Sequence, residues 1–93
     1  MLQKKSKGGR CWVTFTLKAS EGEEAFVVGE WNNWKPQKMR RKKDGTFWFA
    51  RAFPVGKTYR FRYLLGNGCW LNDEAADGYC PNPFGSEDCV LQT

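Results

Sequence analysis

Between Lys57 and Leu65 the chain alternates without a break: Tyr59, Phe61, Tyr63 and Leu65 share one side, and Thr58, Arg60, Arg62 and Leu64 share the other. An extended strand, whose side chains point to opposite faces in turn, gathers such a pattern onto one buried surface. Arg10 to Ala19 repeats the arrangement, with Val13, Phe15 and Leu17 on one side and Trp12, Thr14 and Thr16 on the other. Further strands are predicted over Ala25–Gly29, Thr46–Phe53, Cys69–Asn72 and Cys89–Gln92, with Phe47 and Phe49 facing away from Trp48. Turn-forming residues separate them: Glu21-Gly22-Glu23, Asn32-Asn33, Asp44-Gly45, Pro54-Val55-Gly56 and Gly66-Asn67-Gly68. Asp44-Gly45 predicts a hairpin of type I′, which needs positive φ at both central residues. The stretch from Asp73 to Gly85 has no period, although Asp73 to Ala76 has room for one helical turn. Short strands at roughly 8–12-residue spacing, without a normal helix, predict a single all-β domain, an antiparallel β-sandwich. Residues 1–9 are polar, basic and Gly-ended and read as a flexible basic N-terminus, leaving residues 10–93 as the folded domain.

Ninety-three residues fit one domain. At this size roughly 60–65% of the unfolded chain's surface is buried, so the core is thin and needs large side chains. Five Trp and seven Phe meet that need. The chain has no histidine, which removes Ser-His-Asp and Cys-His catalysis and any imidazole metal site. Cys11, Cys69, Cys80 and Cys89 show no C-x-x-C spacing, so neither a zinc site nor a redox motif is expected, and no cofactor. The basic start lacks an apolar signal segment, and no stretch reaches the roughly 20 apolar residues of a membrane span. A cytoplasmic protein with reduced thiols and no membrane partner is the expectation.

Two tryptophans escape the strand pattern. Trp34 lies between Asn33 and Lys35-Pro36, and Trp70 follows Gly66-Asn67-Gly68 at the start of a very short strand. A flat indole held on a loop suits a sugar ring, whose C–H face can be desolvated against it. Nothing comparable separates Trp12, Trp31 and Trp48 from core residues.

The residues around these two rings carry a resemblance. Phe26-Val27-Val28-Gly29, Trp31-Asn32-Asn33-Trp34, Met39, Asp44-Gly45-Thr46-Phe47 and Tyr59-Arg60-Phe61-Arg62-Tyr63 follow the order of the glycogen-binding module found in the beta subunit of AMP-activated protein kinase. More divergent copies of that module stand at the front of isoamylases and branching enzymes. The stretch from Trp70-Leu71-Asn72-Asp73 to Pro81-Asn82-Pro83-Phe84-Gly85 is similar to small stand-alone bacterial members. The chain thus resembles the early-set, immunoglobulin-like family-48 carbohydrate-binding modules over residues 11–92. The resemblance implies that Trp34 and Trp70 hold an α-glucan between them, that Arg60 hydrogen-bonds sugar hydroxyls, and that Phe84 leans on a sugar. It implies a hydroxyl from Ser86 and places Asp88 where the family usually has an amide. A carboxylate accepts hydrogen bonds but cannot donate them, so Asp88 departs from the pattern. Arg60 in place of the family's Lys keeps the charge with a different donor geometry.

The expected function is therefore non-catalytic binding of α-1,4-glucan such as glycogen, starch or maltooligosaccharide, with an unidentified protein partner as a further candidate. Enzymes that carry such a module keep their active site in a separate barrel domain, and the ten acidic residues here sit mostly in turns. The alternative is a protein-interaction or nucleic-acid-binding domain on the same fold using the basic run Lys38 to Lys43. Nucleic acid is not the expected partner, because no RNP-like or Gly-x-x-Gly signature accompanies that run.

Overall fold

The alternating segments are strands in the computed structural model, which describes residues 2–18 and 24–93. In chain order these are β1 (Leu2–Lys7), β2 (Arg10–Lys18), β3 (Ala25–Gly29), β4 (Gln37–Lys38), β5 (Arg40–Arg41), β6 (Thr46–Pro54), β7 (Thr58–Leu65), β8 (Trp70–Leu71), β9 (Gly78–Pro81) and β10 (Glu87–Gln92). The predicted strand end at Ala19 and the turn at Glu21-Gly22-Glu23 lie outside the described residues. All pairings are antiparallel. One sheet has the order β1-β2-β6-β5; the other runs β4-β3-β7-β10-β9, with β8 also paired to β7. The two sheets pack face to face as an all-β sandwich, the architecture expected of an immunoglobulin-like domain.

The core lies where the two inward faces meet. Val13 and Phe15 from β2, Phe47 and Phe53 from β6, and Phe61 and Tyr63 from β7 are almost wholly buried. Phe15 and Phe61, one from each sheet, meet edge to face at 5.3 Å. Such contacts let a thin core gain more from each ring than area alone supplies. The basic run after Pro36 is where the chain changes sheets. Lys38 pairs with Phe26 in one sheet, Met39 drops into the core, and Arg40 pairs with Trp48 in the other.

Three details differ from the sequence reading. Residues 2–7, read as part of a flexible tail, form β1 in register with β2. Its anchors are Leu2, which packs on the core, and Lys4, which holds Asp77 at 2.6 Å just before β9 of the far sheet. The turn at Asp44-Gly45 is not type I′. Lys42 N–H donates to Thr46 O, and Gly45 N–H donates to Lys42 O. Gly45 alone has positive φ, so this is a three-residue loop of the kind that ends in a glycine bulge. Asp44 accepts a hydrogen bond from Thr46 N–H at 2.9 Å, which holds its carboxyl below the usual range. Finally, Asp73 to Ala76 makes a single turn rather than helix, and β9 occupies part of the non-periodic stretch.

Gly29 ends β3 where the chain leaves the sheet. A Cβ there would sit 2.4 Å from the Trp31 ring, which is already wedged against Phe15, Phe53 and Tyr59. Gly29→Ala is therefore expected to destabilise by about 1–3 kcal/mol through overpacking, measurable as a lowered urea midpoint.

Candidate functional site

The outward face of β7 carries Arg60, Arg62 and Leu64 at alternate positions. β8 and β10 lie end to end along one edge of that strand, with Trp70 opposite Leu64 and Val90 opposite Arg60. Trp70 is thereby set on the outer surface beside the two arginines, and it is 47% exposed. The Arg62 guanidinium lies 5.6 Å from the centre of the Trp70 ring and holds it by a cation–π contact. That guanidinium is fixed in turn by Nε donating to Asn72 Oδ1 at 2.9 Å, and Asn72 Nδ2 donates to Glu87 O.

Trp34 reaches the same face by a different device. After β3 a three-residue 3-10 turn, Glu30–Asn32, is followed by two left-handed residues, Asn33 and Trp34, with φ of 61° and 62°. The bend is closed by Trp34 N–H donating to Gly29 O at 2.9 Å. A left-handed conformation is costly for a bulky side chain, about 1–2 kcal/mol. Such strain persists only where the surroundings over-determine it. Here β3 ends opposite Phe61, so Arg60 N–H has no strand partner on that side. The Glu30 carboxylate accepts that hydrogen at 2.6 Å and pins the bend to β7. Trp34 is left 39% exposed.

The third wall is the β9–β10 loop, organised by Asn82. Its Oδ1 accepts from Phe84 N–H and Ser86 N–H, while Nδ2 donates to Ser86 Oγ at 3.0 Å and Asp88 Oδ1 at 3.1 Å. This carries Phe84 to the tip, 90% exposed, and leaves Asp88 on the floor, 7% exposed. Ser86 also accepts from Arg62 Nη1 at 3.3 Å, joining the loop to the Trp70 support.

All six residues singled out from the sequence (Trp34, Arg60, Trp70, Phe84, Ser86 and Asp88) line one open groove of about 690 Å³. Arg62, Glu30, Asn82 and Pro83 complete its lining and were not singled out. Arg62 had a sequence signal, since it shares the outward face with Arg60. Asn82 and Glu30 had none, because their roles arise from hydrogen bonds between distant segments. The lining holds two guanidiniums and two carboxylates, Glu30 and Asp88. The formal charges of the lining balance, so the groove offers donors and acceptors beside exposed rings.

Beneath the groove, Asp73 anchors the chain that leaves Trp70. Its carboxylate accepts from Tyr63 OH at 2.7 Å and from Ala75 N–H, its N–H donates to Cys89 Sγ, and its carbonyl accepts from Tyr79 OH. Burial pushes the Cys89 thiol up to about 11, and burial together with the Asp73 bond raises the Tyr63 phenol further. Both groups favour their protonated form in the folded state, so their stabilisation is complete below their ordinary values and is lost as pH rises through the raised ones. The urea midpoint is expected to hold up to about pH 9 and to fall towards pH 11. Tyr63→Phe should remove the tyrosine share of that decline and cost about 1.5–3 kcal/mol at neutral pH.

The Lys38 to Lys43 run is partly committed to the fold. Arg40 and Arg41 lie over the rings of Trp48 and Phe47, Met39 is buried, and Lys38 pairs with Glu24 at 3.6 Å. Among the described residues no cluster of three or more His, Cys, Asp or Glu could hold a metal ion. No helix there is long and apolar enough to cross a membrane. No protein-family model matches the chain, and no curated protein matches its sequence.

Proposed function

We propose that the groove binds α-1,4-linked glucan without catalysis, in the manner of the family-48 carbohydrate-binding modules that the sequence resembles. The observation that carries this reading is the pairing of two half-exposed indoles, Trp34 and Trp70, in a single charge-balanced groove. A glucose ring offers apolar C–H faces to the indoles and hydroxyls around its rim to Arg60 and Ser86. A neutral polyol needs both donors and acceptors, and the groove has both.

If each indole covers about 50–80 Å² of sugar, burial contributes roughly 1–2 kcal/mol per ring. Association costs of similar size offset much of this, so short oligosaccharides bind with Kd of about millimolar to tens of micromolar. A long glucan binds better by offering many overlapping sites. This is a targeting domain, holding itself or a protein partner on glycogen or starch.

Affinity electrophoresis in glycogen-containing gels tests the reading. The wild-type chain should be retarded, and by the same amount when salt is raised, because stacking on a neutral glucan releases few counterions. Unretarded migration at every glycogen concentration refutes it.

A further inference from the structure

The opposite side of the molecule has a different chemistry. The four strands of the β1-β2-β6-β5 sheet contain eight Lys and Arg and no Asp or Glu. The rest of the chain holds seven Lys and Arg against ten acids, so the whole positive excess sits on this sheet. Cross-strand register brings Lys5, Lys7, Arg10, Lys18 and Arg40 onto its outward face. Among the described residues, Asp44 stands in the turn at one end of this face, beside Lys18.

Within that face stand Trp12 and Trp48. Trp12 is opposite Ala52 and Lys5, and it is the most exposed tryptophan at 54%. Among the described residues no ring or guanidinium covers it. Trp48 carries the Arg40 guanidinium at 5.7 Å. The two rings lie on adjacent strands, four residues out of register, or about 14 Å apart by strand geometry. Only the small pair of Thr14 and Ala50 lies between the two registers, so no bulky side chain separates the rings.

From this we infer that the outward face of the four-stranded sheet is a binding platform for single-stranded nucleic acid, separate from the glucan groove. A sheet face bearing spaced rings among cations suits splayed bases that stack and a backbone that is neutralised. A second copy of the chain fits poorly, since two such faces would oppose cation to cation. An anionic membrane fits poorly too, because two indoles on a sheet face, spaced about 14 Å apart, offer little apolar area to insert. The loss of sugar binding would leave this inference standing, and the reverse holds as well.

Fluorescence anisotropy of labelled oligo(dT) and oligo(U), each of roughly 20 nucleotides, tests it. Saturable binding is expected near 50 mM salt, falling about 50- to 130-fold by about 200 mM if four or five phosphates are neutralised. Trp12→Ala should weaken binding at least about fivefold and Trp12→Phe much less, because every ring retains a stacking face. Trp34→Ala should bind as wild type, and saturating maltoheptaose should not displace the oligonucleotide. No binding at low salt overturns the inference, as does indifference to Trp12→Ala. Equal affinity for a duplex of the same length, displacement by maltoheptaose, or sedimentation with phosphatidylserine vesicles in place of oligonucleotide binding also overturns it.

Discussion

Trp34→Ala and Trp70→Ala are each expected to weaken maltoheptaose binding about 5- to 30-fold, and the double variant should lose detectable binding. The range converts the 1–2 kcal/mol of apolar area that each ring covers into an equilibrium ratio. The two effects should nearly multiply, since the rings arise from separate segments, one after β3 and the other in β8. Isothermal titration on the same preparations gives both affinity and folded fraction. Neither change should unfold the domain, because both rings are on the surface. Position 34 allows a sharper version. A left-handed residue prefers Gly, so Trp34→Gly should be up to about 1 kcal/mol more stable than Trp34→Ala while binding no better. That outcome would identify the strained bend as something kept for the ring it presents.

Three residues earlier the same substitution has the opposite consequence. Trp31→Ala is expected to cost about 3 kcal/mol or more in stability. Trp31 meets Phe15 at 5.4 Å, Phe53 at 5.2 Å, Tyr59 at 6.0 Å and Phe61 at 6.3 Å, so its removal opens a cavity where both sheets converge. A domain of this length has only about 5–14 kcal/mol in total, and each kcal/mol shifts Tm by about 4–8 °C. A fall in Tm of roughly 12 °C or more is the expected reading by calorimetry. Glucan affinity of the fraction that remains folded should change little. One Trp-Asn-Asn-Trp segment thus supplies a core ring within the 3-10 turn and a surface ring on the second of the two left-handed residues that follow it.

Where one face of a strand is buried, its period was readable: β2 and β7 have the predicted inward residues, and the sandwich follows from them. β1 was not readable because its residues after Leu2 are exposed and mostly basic, and only the partner strand makes it extended. β9 is four residues long and half exposed, too short for alternation to show. The hairpin at Asp44-Gly45 was located but mistyped, since residue identity marks a turn more surely than it sets the loop length. In the groove, the rings and Arg60 could be named from the sequence because loop context and resemblance single them out. The supports, Glu30 on Arg60 N–H and Asn82 on Ser86 and Asp88, depend on contacts that only the folded chain creates. Trp12 falls on the polar side of its strand, but nothing in the sequence separates it from core residues; its exposure among cations follows from the neighbouring strands.

The claim beneath the proposed function is that the indoles of residues 34 and 70, and not the other three, take up the sugar. Indole N–H signals in a two-dimensional 1H–15N spectrum, assigned by single-tryptophan substitution and followed during a maltoheptaose titration, test this directly. The account predicts saturable shifts for Trp34 and Trp70 while Trp12, Trp31 and Trp48 stay in place. Shifts confined to those three, or no movement of any signal at millimolar sugar, would contradict it.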